Sequence, residues 1–261
     1  PPWSTQGMRV LGIGRLAHYK GFDTLIDAVA QSPEAELLIA GDGELRQSLQ
    51  AQVDALARDG NGGRVRLLGA VTEAQKQQLL ASCDVFALPS IERTEAFGMV
   101  LLEAMSHGKP CLASALPGSG MPWVVASSEA GRLVPLGDTV AWGRALRWMA
   151  AHPTERQALG AAGRQAFERR FTAAASARRL QELYPGQREA DLGPPDPERT
   201  LIVIPARNES ATLGTLLAQL RAAGLRQVLV IDDLSDDGTG DIARLGGARV
   251  LRPVLGLGAW G

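Results

Sequence analysis

Hydrophobic residues along the chain fall into short continuous runs separated by stretches of helical periodicity. Arg9–Gly14 and Glu36–Ala40 are runs of strand length, and Val65–Leu68, Asp84–Leu88 and Pro110–Ala113 follow the same pattern. Runs this short, bounded by turn residues, predict strands buried on both faces of a parallel sheet. Between them, Phe22–Ala30 places Leu25, Ile26 and Val29 on one stripe, and Glu44–Asp59 does the same with Leu45, Leu49, Val53 and Leu56. Thr72–Ser82 opens on a threonine suited to an N-cap. A central helix after Phe97-Gly98-Met99 turns Val100, Leu101, Ala104 and Met105 to one side, and Pro117–Trp123 predicts a loop with two free-turning glycines. Helices are predicted over 139–152, 154–170 and 173–184, with Trp142, Leu146 and Met149 as a core stripe. This alternation predicts an α/β fold with a Rossmann-like, doubly wound parallel sheet, whose ligands bind beyond the strands' carboxyl ends.

The pattern stops at Gln187–Glu198, a polar stretch in which Pro194, Pro195 and Pro197 block regular structure. A second βα pattern then begins: strand Leu201–Pro205, helix Ala211–Ala223, strand Val228–Ile231, helix Asp237–Leu245 and strand Ala248–Leu251. The organisation expected is a first domain over 1–186, a linker over 187–198 and a partial second α/β unit over 199–261. A start at Pro1 and an end at Gly261 after a glycine-rich run read as a piece of a longer polypeptide.

Composition narrows the chemistry. With 45% apolar residues and a net charge of −1, neither disorder nor a general nucleic-acid surface is indicated. Cys83 and Cys111 form no CxxC, and His18, His107 and His152 have no metal-ligand spacing. The two thiols read as buried residues beside strands, and His107 as a helix cap. No apolar run approaches the ~20 residues of a membrane span, and no stretch of this sequence reads as a signal peptide. A cytoplasmic protein, at most at the inner face of a membrane through parts outside this sequence, is expected.

The chemistry concentrates in PSIERTEAFGMVLLEAM, Pro89 to Met105, between a buried strand and a helix. Glu95 and Glu103 are eight residues apart, roughly 12 Å along one continuous helix. Carboxylate pairs that cleave a glycosidic bond sit at roughly 5–9.5 Å, so a hydrolase pair is disfavoured. Glu95 in the loop and Glu103 on the second helical turn instead fit two grips on one long ligand. The helix start at Phe97-Gly98-Met99 offers free N–H groups and a positive dipole end, which suit a phosphate. A capping and a surface glutamate are the plain alternative.

These residues resemble the donor-site signature of family 4 glycosyltransferases, the retaining GT-B type, over roughly Met8 to Tyr184. The resemblance implies that Glu95 contacts the donor sugar, Glu103 the ribose, and the amides of Phe97, Gly98 and Met99 the sugar or phosphate. It implies no metal in this domain. A second patch, Gly12-Ile13-Gly14-Arg15-Leu16-Ala17 with Lys20-Gly21, admits two readings. A dinucleotide fingerprint needs the helix to open at the glycines, whereas His18–Gly21 intervenes here. Otherwise Arg15 and Lys20 are cations that stabilise a departing diphosphate; the resemblance implies that phosphate role for both, next to Gly14.

Pro205–Glu209 and Asp232–Thr239 resemble the opening of a family 2 glycosyltransferase, the inverting GT-A type, which implies that Glu209 and Asp233 hold base and ribose. A divalent metal, Mg or Mn, would belong to that second unit when complete. Asp233-x-Ser235-x-Asp237-Gly238 starts like a calcium loop, but Arg244 stands where its last ligand should be. The reading is therefore transfer of a sugar from a GDP- or UDP-sugar to a glycan or lipid-linked acceptor in surface-polysaccharide synthesis, this chain supplying the donor half. An NAD-dependent oxidoreductase and a non-catalytic nucleotide-binding module are the rivals.

Overall fold

The structure, a computed structural model, describes Trp3 and residues 7–58, 63–183 and 196–252. The chain divides into two compact units, Pro1–Arg179 and Leu180–Gly261. The expected linker lies largely outside the described residues.

In the first unit the strands are β1 (Met8–Ile13), β2 (Ala35–Ala40), β3 (Val65–Gly69), β4 (Val85–Leu88), β5 (Cys111–Ser114) and β6 (Gly131–Val134). They form one sheet in the order β3-β2-β1-β4-β5-β6, and every pairing is parallel. The apolar runs are continuous because both faces are covered. Val10, Leu37, Ile39, Val85 and Leu112 face one hydrophobic layer, while Leu11, Leu38, Phe86, Leu88 and Cys111 face the other. The first layer is completed by α1 (Phe22–Ala30), α2 (Arg46–Leu56) and α6 (Thr139–Ala151), with Trp142, Leu146 and Met149 fully buried as the core stripe. The second contains α3 (Glu73–Ser82), α4 (Met99–Ser106), α5 (Met121–Ser127) and α7 (Pro153–Arg170). Helix α8 spans Ala173–Leu183.

Two elements depart from expectation. The loop expected over Pro117–Trp123 ends at Gly120, and Met121-Pro122-Trp123 is the first turn of α5. Proline is tolerated there because a first-turn N–H has no intrahelical partner. Strand β6 was not anticipated: it is an edge strand whose Arg132 and Leu133 are exposed, so it lacks a buried apolar run. Elsewhere boundaries move by a few residues. Thr72 caps α3 in a full capping box, its hydroxyl accepting from the Gln75 N–H while the Gln75 side chain accepts from the Thr72 N–H.

One ion pair staples β1 to the start of β4. Arg9 donates Nε and Nη2 to the two oxygens of Asp84 at 2.9 and 2.8 Å, and its backbone N–H adds a third bond at 2.8 Å. Burial alone would raise the Asp84 pKa, but the Arg9 bonds outweigh it and hold the carboxyl below its ordinary value. A depressed folded pKa gives stability that is present above the unfolded value of ~3.9 and lost as pH falls through the lowered one. Asp84→Asn is expected to destabilise the unit at pH 7 and to flatten its stability loss as pH falls below about 4, read by urea unfolding from pH 7 downward. Cys83 and Cys111 are buried thiols, and burial pushes Cys83 up to about 12.

The second unit has a parallel sheet β7-β8-β9 (Leu201–Ala206, Gln227–Asp232, Arg249–Leu251) with α9 (Ser210–Ala222) and α10 (Thr239–Leu245). Val230, Leu213, Leu217 and Ala243 form its small core. Among the described residues no helix is long and apolar enough to cross a membrane.

Candidate functional site

In an open parallel sheet a crevice forms where successive connections leave in opposite directions. Here the chain runs outward from β1 to β2 and β3, then returns to place β4 on the other side of β1. The crevice therefore lies between the carboxyl ends of β1 and β4, and their two following loops meet there. Ile91 N–H donates to the Tyr19 carbonyl at 2.7 Å, and a Cβ on Gly21 would stand 2.4 Å from the Pro89 carbonyl oxygen.

The loops deliver two opposite charges to one point. Lys20, on a single 3-10 turn (His18–Lys20), forms an ion pair with Glu95. Their side chains are only 10% and 13% exposed. Gly14 lines the same spot, since a Cβ there would stand 3.1 Å from Lys20 Nζ. Ser90 Oγ lies 3.4 Å from the paired Glu95 oxygen. The backbone of Glu95 is pinned from the next loop, where Ser119 Oγ donates to the Glu95 carbonyl at 2.6 Å and Gly120 N–H donates to the Ala96 carbonyl at 2.6 Å. The sequence places Ser90 in the Pro89–Met105 stretch and Ser119 in the Pro117–Trp123 loop without giving either a role of its own.

The remaining expected residues sort themselves around this pair. Gly98 is the N-cap of α4 at φ +75°, and a Cβ there would press on Leu101 and Met121 at 2.9 Å. Backbone shape and packing therefore both require glycine at this helix start. Phe97 is half-buried against Trp123, with ring centroids 6.4 Å apart, and Met99 is exposed. Arg15 projects into solvent, its side chain 69% exposed and its Nε 3.4 Å from Glu44. Glu103, on the second turn of α4, pairs with Lys76 of α3 at 2.7 Å. That bond is the largest cause of a raised Lys76 pKa, followed by opposing burial and the bond to Glu73. Lys76 was missed because its contact depends on how α3 and α4 pack.

The glycines of Gly12-x-Gly14 do not open a helix. The 3-10 turn follows them and α1 starts only at Phe22, so the dinucleotide geometry is not formed. They interlock with the loop after β2 instead. Gly14 N–H donates to the Ala40 carbonyl, Leu16 N–H to the Asp42 carbonyl, and Leu45 N–H to the Leu16 carbonyl. His107 is the C-cap of α4, and burial first, then the nearby charges of Lys109 and Arg164, hold its pKa below the ordinary imidazole value.

In the second unit the loops after β7 and β8 are laced together. Asn208 N–H donates to Ser235 Oγ at 2.9 Å, Glu209 N–H to Thr239 Oγ1 at 2.8 Å, and Ser210 N–H to Asp237 Oδ2 at 2.9 Å. Asp233 is buried, with Arg207 3.8 Å away, whereas Glu209 is exposed and accepts from Thr212 Oγ1 at 2.6 Å. Asp237 is held well below the usual carboxylate range by the Thr239 hydroxyl and then the Ser210 N–H. Asp237, one of the aspartates that resembled a calcium loop, therefore ties the two loops together. Asp232, which was not singled out, is the most buried carboxylate among the described residues of this unit and accepts the Ser235 N–H at 2.9 Å.

Comparison with known proteins agrees with this architecture. D-rhamnosyltransferase WbpZ of Pseudomonas aeruginosa is 34% identical over 163 residues, covering 62% of this chain and 41% of its own length. A phosphatidyl-myo-inositol mannosyltransferase of Mycobacterium leprae is 35% identical over 183 residues, 68% of this chain and 46% of its own length. The chain thus spans less than half the length of these curated relatives. Among solved structures, Anabaena Alr3699/HepE in complex with UDP superposes with a TM-score of 0.60 at 25% identity, over 69% of this chain and 49% of that one. The family description "Glycosyl transferases group 1" matches residues 3–166. On that match, and on a six-stranded sheet with the crevice described above, the chain belongs to the group 1 glycosyl transferases.

Proposed function

We propose that the first unit is the donor-binding half of a glycosyltransferase that moves a sugar from a UDP- or GDP-sugar to a glycan or lipid-linked acceptor in surface-polysaccharide synthesis. The observation that carries this reading is the Lys20–Glu95 pair at the β1–β4 crevice. It places a cation and an anion side by side, beside a helix start, where a sugar diphosphate has negative phosphates next to hydroxyl donors. The named relatives transfer rhamnose and mannose, and Anabaena Alr3699/HepE was solved with UDP.

In the reaction the bond from the anomeric carbon to the β-phosphate oxygen breaks, and the diphosphate leaves with the electron pair. The acceptor hydroxyl oxygen bonds to that carbon and its proton is released. Lys20, Arg15 after leaving Glu44, and the amides of Gly98 and Met99 would carry the developing phosphate charge without a metal ion. Glu95 would hold sugar hydroxyls beside Phe97, with Gly14 lining the floor, and Glu103 the ribose. The second unit, on its resemblance to a GT-A opening, would hold half a nucleotide through Glu209 and Asp233. Mg or Mn would belong to the second unit when complete; among the described residues no group of three His, Cys, Asp or Glu side chains could hold a metal ion.

Titration of the chain with UDP, GDP, UDP-glucose, GDP-mannose and NADH, with and without EDTA, tests the reading. One nucleotide pair is expected to bind regardless of EDTA, and NADH not to bind. Binding of NADH alone would contradict it.

A further inference from the structure

We infer that Lys76 is a positioning residue for the ribose of the donor: it occupies one oxygen of Glu103 and leaves the other aimed at a vicinal diol. The inference rests on reading the β1–β4 rim as a nucleotide-sugar site. Lys76 Nζ lies 2.7 Å from Glu103 Oε2 and 3.0 Å from Glu73 Oε2. That Glu103 oxygen has no solvent exposure, although the Glu103 side chain as a whole is 36% exposed. A carboxylate has acceptor positions on both oxygens, so Oε1 remains for a ligand while Oε2 stays with the lysine.

The lysine is itself held in place. The Thr72–Gln75 capping box sets the first turn of α3, from which Lys76 projects. One residue on, Gln77 Oε1 meets His107 Nε2 at 2.6 Å, a second tie from α3 to the end of α4. Glu73, Lys109 and Arg164 are the other charged groups around this seam. An exposed pair serving only to join two helices contributes little. What distinguishes this one is the division of the carboxylate into a shielded oxygen and an available one. Within a nucleoside diphosphate the vicinal diol belongs to the ribose alone, and a charged acceptor makes its hydrogen bonds short and strong.

The test uses the full chain, with UDP and GDP each compared with its 2′,3′-dideoxy counterpart by titration calorimetry. Wild type is expected to prefer the ribonucleotide by about 10- to 100-fold, the range for hydrogen bonds to a charged group. Lys76→Met is expected to cut that preference to within about threefold by weakening the ribonucleotide alone, as Glu103→Gln should, while Lys76→Arg keeps most of it. Thermal melting of each variant checks that the fold is intact. Equal weakening of both nucleotides by Lys76→Met would overturn the inference, because a helix clamp or a phosphate contact does not discriminate the diol. An unchanged preference in Lys76→Met would overturn it too. Wild type with no preference would remove Glu103 from the ribose while leaving the donor site standing; wild type binding neither nucleotide would remove the donor site itself.

Discussion

Glu95→Gln is expected to bind UDP more tightly than wild type and UDP-glucose more weakly. The Lys20 ammonium is paired with Glu95, and both side chains are nearly buried. A bare diphosphate that takes Lys20 leaves Glu95 as an unpaired carboxylate beside a like charge, an arrangement that opposes binding. Glutamine removes that opposition, and UDP affinity should rise by about 3- to 10-fold. A sugar nucleotide behaves differently because its hydroxyls replace the lysine as partners of Glu95. Hydrogen bonds to a charged acceptor contribute about 1.5–3 kcal/mol against about 0.5–1.5 for neutral ones. The ratio of UDP-glucose to UDP affinity should therefore fall by about 10- to 100-fold in the variant. Titration of both ligands on both proteins measures this. Equal weakening of the two would mean that Glu95 only holds the loop.

Gly41→Ala is expected to be among the most damaging small substitutions at the described residues of the first unit. Gly41 has φ +143°, and a Cβ there would lie 1.8 Å from the carbonyl oxygen of Gly14. The obstacle is backbone at the end of β1, so no side chain can turn aside. Strained backbone costs about 1–3 kcal/mol and forced overpacking about 1–3 more. A loss of about 2–6 kcal/mol is a large part of a typical 5–15 kcal/mol stability. At ~2–4 °C per kcal/mol, the melting midpoint should fall by roughly 10 °C. Gly137→Ala supplies the comparison: its φ is +63°, nothing lies within 4 Å of the added carbon, and about 1 kcal/mol is expected. Calorimetric melting of both variants distinguishes steric blockage from conformational strain. Because Gly14 also borders Lys20, Gly41→Ala should weaken nucleotide binding as well.

Much of the fold was readable because a sheet covered on both faces makes its strands continuous apolar runs. Val85–Leu88 and Ala35–Ala40 are buried throughout, and their signal is strong. Strand β6 lacked that signal because an edge position leaves Arg132 and Leu133 in solvent. Helix α5 hid behind Pro122, which breaks a helix interior but suits a first turn. At the site, Lys20 and Glu95 were each readable from local pattern. Their pairing was not, since the two are 75 residues apart and meet only because β4 returns beside β1. Lys76 gave less warning still. Along the sequence it is an ordinary i,i+3 partner of Glu73, and only the packing of α3 and α4 on one face brings it to Glu103.

The most direct measurement is a crystal structure of the chain grown with UDP-glucose and EDTA. The expected result is a diphosphate at the β1–β4 crevice within hydrogen-bond distance of Lys20 Nζ, with Glu95 released from the lysine and bonded to the glucose. Nucleotide bound away from that crevice, or a Lys20–Glu95 pair left intact beneath a bound donor, would contradict it.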